Sequence, residues 1–189
     1  MRYSVFVTVV VFFLAVSGQS LASPERAPNL ASVQAAAAEV GKEGLLFGKH
    51  ADRPVPVASI TKLMTALVVV ESGQDMDEWL TFEERHVEAA ANAWSRIRVG
   101  SQLRRRDVLR IALMSSENFA AYTLARVYPG GFDGFVAAMN AKAKALGMLQ
   151  TRFVDPTGLS TDNVSTAADL VILARAALKH PEIREASTT

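Results

Sequence analysis

The chain has 189 residues, half of them hydrophobic and 21% charged, with 20 basic against 19 acidic side chains. That balance excludes a disordered polymer, and a net charge of +1 gives no electrostatic reason for a nucleic-acid partner. No cysteine is present, so disulfides, thiolate metal sites and cysteine nucleophiles are excluded.

Met1-Arg2, the apolar stretch from Val5 to Val16 and the small residues Ser20 and Ala22 follow the layout of a secretory signal peptide. Cleavage is expected after Ala22, dividing the chain into residues 1–22 and 23–189. The other reading, a membrane anchor, is opposed by the shortness of the run against the roughly 20 residues of a span. Loss of the leader takes Arg2 with it and leaves the exported chain formally neutral.

A polar leader (Ser23 to Leu30) precedes two apolar runs, Val33 to Val40 and Leu45 to Phe47. They flank Gly41-Lys42-Glu43-Gly44, a gap that predicts a β-hairpin. Arg53 to Val57 is extended, since each proline keeps its predecessor out of the helical region. Ile60 to Val70 reads as a buried helix closed by Gly73, although its valine run favours strand. From Asp75 to Arg104 the pattern is mixed, with Ile97 and Val99 marking a short strand. Helices are expected over Asp107–Met114, Phe119–Val127 and Phe132–Leu146, the last capped by Gly147. Thr151 to Ser160 is extended, with a turn at Asp155-Pro156-Thr157-Gly158. A final helix, Ala167 to Leu178, is capped by Ser165 and ended by Pro181. The lone hairpin has no sheet to join, and a two-stranded hairpin is marginal by itself.

Ser59-Ile60-Thr61-Lys62 is the first candidate for chemistry. Residues three apart on a helix share a face, about 5–6 Å apart at Cβ. A lysine amine there could take the serine proton if burial lowered its pKa from the usual ~10.4 toward ~7–8. In the plainer reading Ser59 is an N-cap and Lys62 a solvated charge. Ser116-Glu117-Asn118 is the second candidate, and alone it reads equally as a helix junction with a capping side chain. His50, His86 and His180 have no metal-ligand spacing and read as surface residues. Arg104-Arg105-Arg106 reads as a solvated helix start rather than a binding patch.

In this order, serine-x-x-lysine followed by serine-x-asparagine is the signature of the penicillin-recognising serine enzymes. Pro56-Val57-Ala58-Ser59-Ile60-Thr61-Lys62-Leu63-Met64-Thr65-Ala66 and Leu113-Met114-Ser115-Ser116-Glu117-Asn118 closely resemble the D-alanyl-D-alanine carboxypeptidases and endopeptidases. So do Tyr128 to Gly131, Phe135 to Leu146, Thr151 to Ser160 and Ser165 to Leu170. The nearest resemblance is to the endopeptidase type of low-molecular-mass penicillin-binding protein, over nearly all of the chain after residue 30.

The resemblance implies an α/β (α+β) penicillin-binding-protein/β-lactamase-like transpeptidase fold, with a helical cluster beside an antiparallel sheet. It implies Ser59 as nucleophile, Lys62 as general base, Ser116 as proton relay and Asn118 as the side chain that holds the substrate's backbone amide. The substrate would be a peptidoglycan stem peptide or cross-link, β-lactams would acylate the same serine, and no metal or cofactor would be needed. Phe119 stands where relatives often carry a polar residue, so it is expected to alter the cleft rim. The family's third motif, Lys-Thr-Gly, does not occur in these residues. The resemblance therefore implies that later sheet strands are missing and that the chain is truncated and inactive as it stands. One lost oxyanion donor alone costs about 10²–10³ in rate. Two other readings are a class A β-lactamase, which expects aspartate where Glu117 stands, and a non-catalytic wall-binding remnant.

Overall fold

The computed structural model describes residues 29–86 and 94–188. The expected signal peptide and its cleavage point lie outside the described residues. The elements run β1 (Ala35–Ala37), β2 (Phe47–Lys49), β3 (Val55–Pro56), a 3₁₀ turn (Ala58–Ile60), α1 (Thr61–Glu71), β4 (Trp79–Thr81) and β5 (Gln102–Arg104). They continue with α2 (Arg105–Met114), α3 (Asn118–Arg126), α4 (Gly131–Ala145), β6 (Val164–Ser165), α5 (Ala167–Ala177) and α6 (Pro181–Thr188).

Helix α1 is the axis of the fold. Met64, Ala66, Leu67 and Val69 are at most 1% exposed, because α2, α3, α4, α5 and α6 all pack against it. Burial on every side explains why its valine run is helical: packing outweighs the small β-branched penalty. Leu109, Leu124, Phe135, Met139, Phe153 and Leu173 complete the core from the surrounding elements. Gly147, at φ +82°, ends α4 as expected, with Met148 N–H donating to the Ala143 carbonyl at 2.9 Å.

The strands form three separate antiparallel pairs, β1–β2, β3–β6 and β4–β5. The predicted hairpin exists, registered Ala35↔Lys49 to Ala37↔Phe47, but its loop is longer than the expected gap. Val40 and Leu46 lie exposed outside the strands. Arg175 from α5 holds that loop, donating to the Gly44 carbonyl at 2.9 Å. The β3–β6 pair (Val55↔Ser165, Pro56↔Val164) joins the segment leading into Ser59 to the segment leading into α5.

Several local expectations need correction. No strand forms at Ile97–Val99; the strand is Gln102–Arg104, paired with Trp79–Thr81. Thr166, not Ser165, caps α5, its hydroxyl accepting from Asp169 N–H at 3.0 Å. Pro181 does not end that helix but opens α6, as proline does at a first helical position where no N–H is required. Phe119 is not on a cleft rim: it is 5% exposed, edge-on to Phe82 at 5.1 Å and under the Arg85 guanidinium.

The arginine run is also only partly solvated. Arg104 and Arg106 reach exposed Asp77, but Arg105 is fully buried. Its guanidinium donates to the Asp75 carbonyl (3.0 Å), to Gln74 Oε1 (3.1 Å) and to the Glu78 carboxylate, pinning the loop after α1 to the start of α2. Arg105→Ala is expected to lower stability by about 2–3 kcal/mol through lost hydrogen bonds and stem packing. Arg104→Ala should cost under about 1 kcal/mol, as exposed pairs do. Urea unfolding of the two variants checks the contrast.

Candidate active site

The chain enters the site through β3 and turns sharply. Ala58 adopts φ +44°, an uncommon region for a residue with a side chain, and Ser59 follows in the 3₁₀ turn. Neither that turn nor α1 uses a side chain as its N-cap. Ser59 is therefore not a capping serine; it is exposed at the head of the buried helix.

Lys62 lies one turn on and is 3% exposed, so the solvated-charge reading also fails. Its Nζ donates to Asn118 Oδ1 at 2.7 Å, to the Thr157 carbonyl at 2.7 Å and to Ser59 Oγ at 3.4 Å. These partners use the three donors of an ammonium group. Burial lowers the Lys62 pKa from 10.5 to about 8, against the opposing pull of the Asp155 and Glu117 carboxylates. On losing a proton the amine gains a lone pair that can accept from the Ser59 hydroxyl.

Asn118 opens α3 and presents its carbonyl oxygen to Lys62. Glu117 caps the same helix, its carboxylate accepting from Ala120 N–H at 2.7 Å. Ser116 sits just before it at φ +54°, exposed in the α2–α3 turn. Strained backbone of this kind gathers at functional sites. The structure thus brings Ser59, Lys62 and Asn118 into one hydrogen-bonded group, while Ser116 adjoins it through Glu117 and Asn118 without a hydrogen bond to Ser59 or Lys62.

The turn after Phe153 supplies what the sequence reading missed. The Asp155 carboxylate collects the Thr157 hydroxyl (2.6 Å) and the N–H groups of Thr157 (2.5 Å), Gly158 (2.8 Å) and Ser160 (2.8 Å). That folds the turn so that the Thr157 carbonyl faces Lys62. The Pro156 carbonyl accepts from Thr65 Oγ1 of α1 at 2.7 Å. Asp155-Pro156-Thr157-Gly158 reads as a turn in the sequence, but a carbonyl acting as a ligand has no side-chain signature. Among the described residues no His, Asp and Glu side chains converge as a metal site.

A six-helix α/β fold with a serine, a buried lysine and an asparagine joined at its centre defines the class of penicillin-binding-protein and DD-transpeptidase folds. The sequence profile of the D-alanyl-D-alanine carboxypeptidase family matches residues 22–189, and the chain belongs to that family. It is 46% identical over 190 residues to a D-alanyl-D-alanine endopeptidase of Pseudomonas aeruginosa, covering 96% of this chain and 61% of that protein. To the D-alanyl-D-alanine endopeptidase of Escherichia coli K12 it is 45% identical over 175 residues, covering 93% and 56%. The chain thus spans about three-fifths of the length of these relatives. Among solved structures, the Streptomyces K15 DD-transpeptidase superposes with a TM-score of 0.76 at 29% identity, covering 85% of this chain and 65% of that one. Ampicillin-bound penicillin-binding protein D2 of Listeria monocytogenes gives 0.73 at 34% identity, covering 86% and 68%.

Proposed function

We propose that the protein is a serine-type DD-peptidase that cleaves peptidoglycan stem peptides or their cross-links through an acyl-enzyme on Ser59. The observation that carries this reading is the Lys62 amine, buried and held between Ser59 Oγ, Asn118 Oδ1 and the Thr157 carbonyl. Neutral Lys62 takes the Ser59 proton as Oγ bonds to the carbonyl carbon of the penultimate D-alanine. The C–N bond then breaks, and Ser116 passes a proton to the leaving amine. Water hydrolyses the ester and restores Ser59. The Asn118 amide group, its carbonyl oxygen engaged by Lys62, is free to meet the substrate backbone. A β-lactam acylates the same serine by opening its strained amide, which keeps the amine tethered to the adduct.

The signal-peptide pattern supports export, with residues 23–189 contributing the serine–lysine and serine–asparagine part of the domain. Among the described residues no helix is long and apolar enough to cross a membrane.

Intact-mass measurement after prolonged incubation of the purified protein with a penicillin tests the assignment. A slow covalent adduct is expected on the wild type and none on Ser59→Ala, because the residues that activate the serine all lie within the chain. Turnover of stem peptides, which needs the contacts implied for the Lys-Thr-Gly strand, is not expected from these residues alone. A cooperatively melting protein that stays unmodified overturns Ser59 as nucleophile and favours the wall-binding remnant.

A further inference from the structure

Asn163 is fully buried, and nothing in its sequence surroundings marks it. Its carboxamide makes the four hydrogen bonds such a group can make. Oδ1 accepts from Val154 N–H (2.7 Å) and Asp155 N–H (3.1 Å), while Nδ2 donates to the Asp155 carbonyl (2.9 Å) and to Thr61 Oγ1 (3.0 Å). Its own carbonyl accepts from Val57 N–H at 3.1 Å, two residues before the nucleophile. One side chain therefore ties together the start of the 154–158 turn and the first residue of α1, and its backbone holds the end of β3. These three segments carry the Thr157 carbonyl, Lys62 and Ser59.

Resting on the function proposed above, we propose that Asn163 is a positioning residue for Lys62: through Thr61 it sets the first turn of α1 against the 154–158 turn, so that the Thr157 carbonyl meets the amine. The amine sits 2.7 Å from that carbonyl and from Asn118 Oδ1, so a small displacement of the helix start breaks the contact and admits water. The charged groups facing Lys62 are Asp155 from the turn and Glu117 from the head of α3. Both favour the protonated amine, and burial is what opposes them. Loosening the joint removes burial first, which moves the protonation midpoint of Lys62 up toward the ordinary lysine range. Asp155 is itself held by Asn163, so the two effects come through one joint.

The test reads Lys62 directly, by competitive labelling of its amine with trace acetic anhydride across pH and mass analysis of the Lys62 peptide in the intact protein. Thr61→Val keeps the side-chain shape but removes the hydroxyl that Asn163 uses. It is expected to raise the midpoint by about one pH unit or more, with Thr61→Ser restoring the wild-type value. Asn163→Ala should shift it at least as far and lower the melting temperature as well; if it fails to fold, Thr61→Val decides. Variants that melt earlier but titrate Lys62 as the wild type does would reduce Asn163 to a structural residue and overturn the proposal. The measurement needs no penicillin. A shifted midpoint beside a wild type that forms no adduct upholds the positioning role and overturns the peptidase reading. An adduct on the wild type beside unmoved midpoints does the reverse.

Discussion

Lys62→Met is expected to slow penicillin acylation of Ser59 by about 10²–10⁴-fold, the range over which a positioned general base acts, and to erase its pH dependence. In the wild type the reactive form carries a neutral amine. With a midpoint at about 8, roughly 10% of the protein is competent at pH 7 and roughly 1% at pH 6. The acylation rate should therefore climb with pH, reach half its maximum near pH 8 and then level off. The same proton sets a stability trend. Between the folded midpoint of about 8 and the unfolded value of 10.5, the unfolded chain holds a proton that the folded chain has released. Stability contributed by this group thus rises with pH across that window. Acylation rates at several pH values, by mass spectrometry, check the first trend, and urea midpoints at pH 8 and pH 10 the second. A flat wild-type acylation profile, or a Lys62→Met variant that retains the rise, removes Lys62 from the base's role.

Gly158→Ala is expected to be the most damaging single methyl group in the molecule. Gly158 has φ +82°, and a Cβ built there would lie 1.9 Å from the Ala58 carbonyl oxygen and 3.0 Å from Ser59 N. The clash falls on backbone, so no side chain can swing aside. A left-handed conformation costs an alanine roughly 1–2 kcal/mol, and overpacking adds about 1–3 kcal/mol. Together these are a large part of the ~5–15 kcal/mol that holds a domain folded. The residue pushed is Ala58, already at φ +44°, and its displacement carries Ser59 away from Lys62. Urea unfolding and the rate of penicillin adduct formation should therefore fall together. An alanine variant with wild-type stability and acylation would mean that the turn does not lie against the nucleophile as closely as described.

Ser59 and Lys62 could be paired from the sequence because helical spacing alone puts them on one face. Asn118 lies 56 positions from Lys62, beyond any local rule, and only the family resemblance joined the two. Thr157 was out of reach for a different reason. It acts through its carbonyl oxygen, which every residue possesses, and what aims that oxygen is the set of donors gathered by Asp155. Asn163 looks in sequence like any polar residue in a loop; only the fold shows its amide meeting four partners. Arg105 stands between two arginines that reach an exposed aspartate, and one-dimensional context cannot tell which of the three turns inward. Strands β4 and β5 escaped notice because three-residue strands show too little alternation to register. The helices were more legible, since α2, α3 and α4 each carry enough turns for apolar spacing to repeat. Proline was misread at α6 because its lack of an N–H suits both a helix stop and a helix start.

Helix α1 carries Ser59 and Lys62 at its head, and its far end is held elsewhere, Glu71 pairing with Lys142 of α4 and with His180 at 3.3 Å. Nearly every side chain between is enclosed by the core. Where antibiotic exposure selects for sluggish acylation, the available genetic target therefore extends well past the pocket. An inherited change in packing midway along this one helix reaches the drug's attachment point as surely as a change beside it, and susceptibility and foldability become traits that this lineage cannot tune independently.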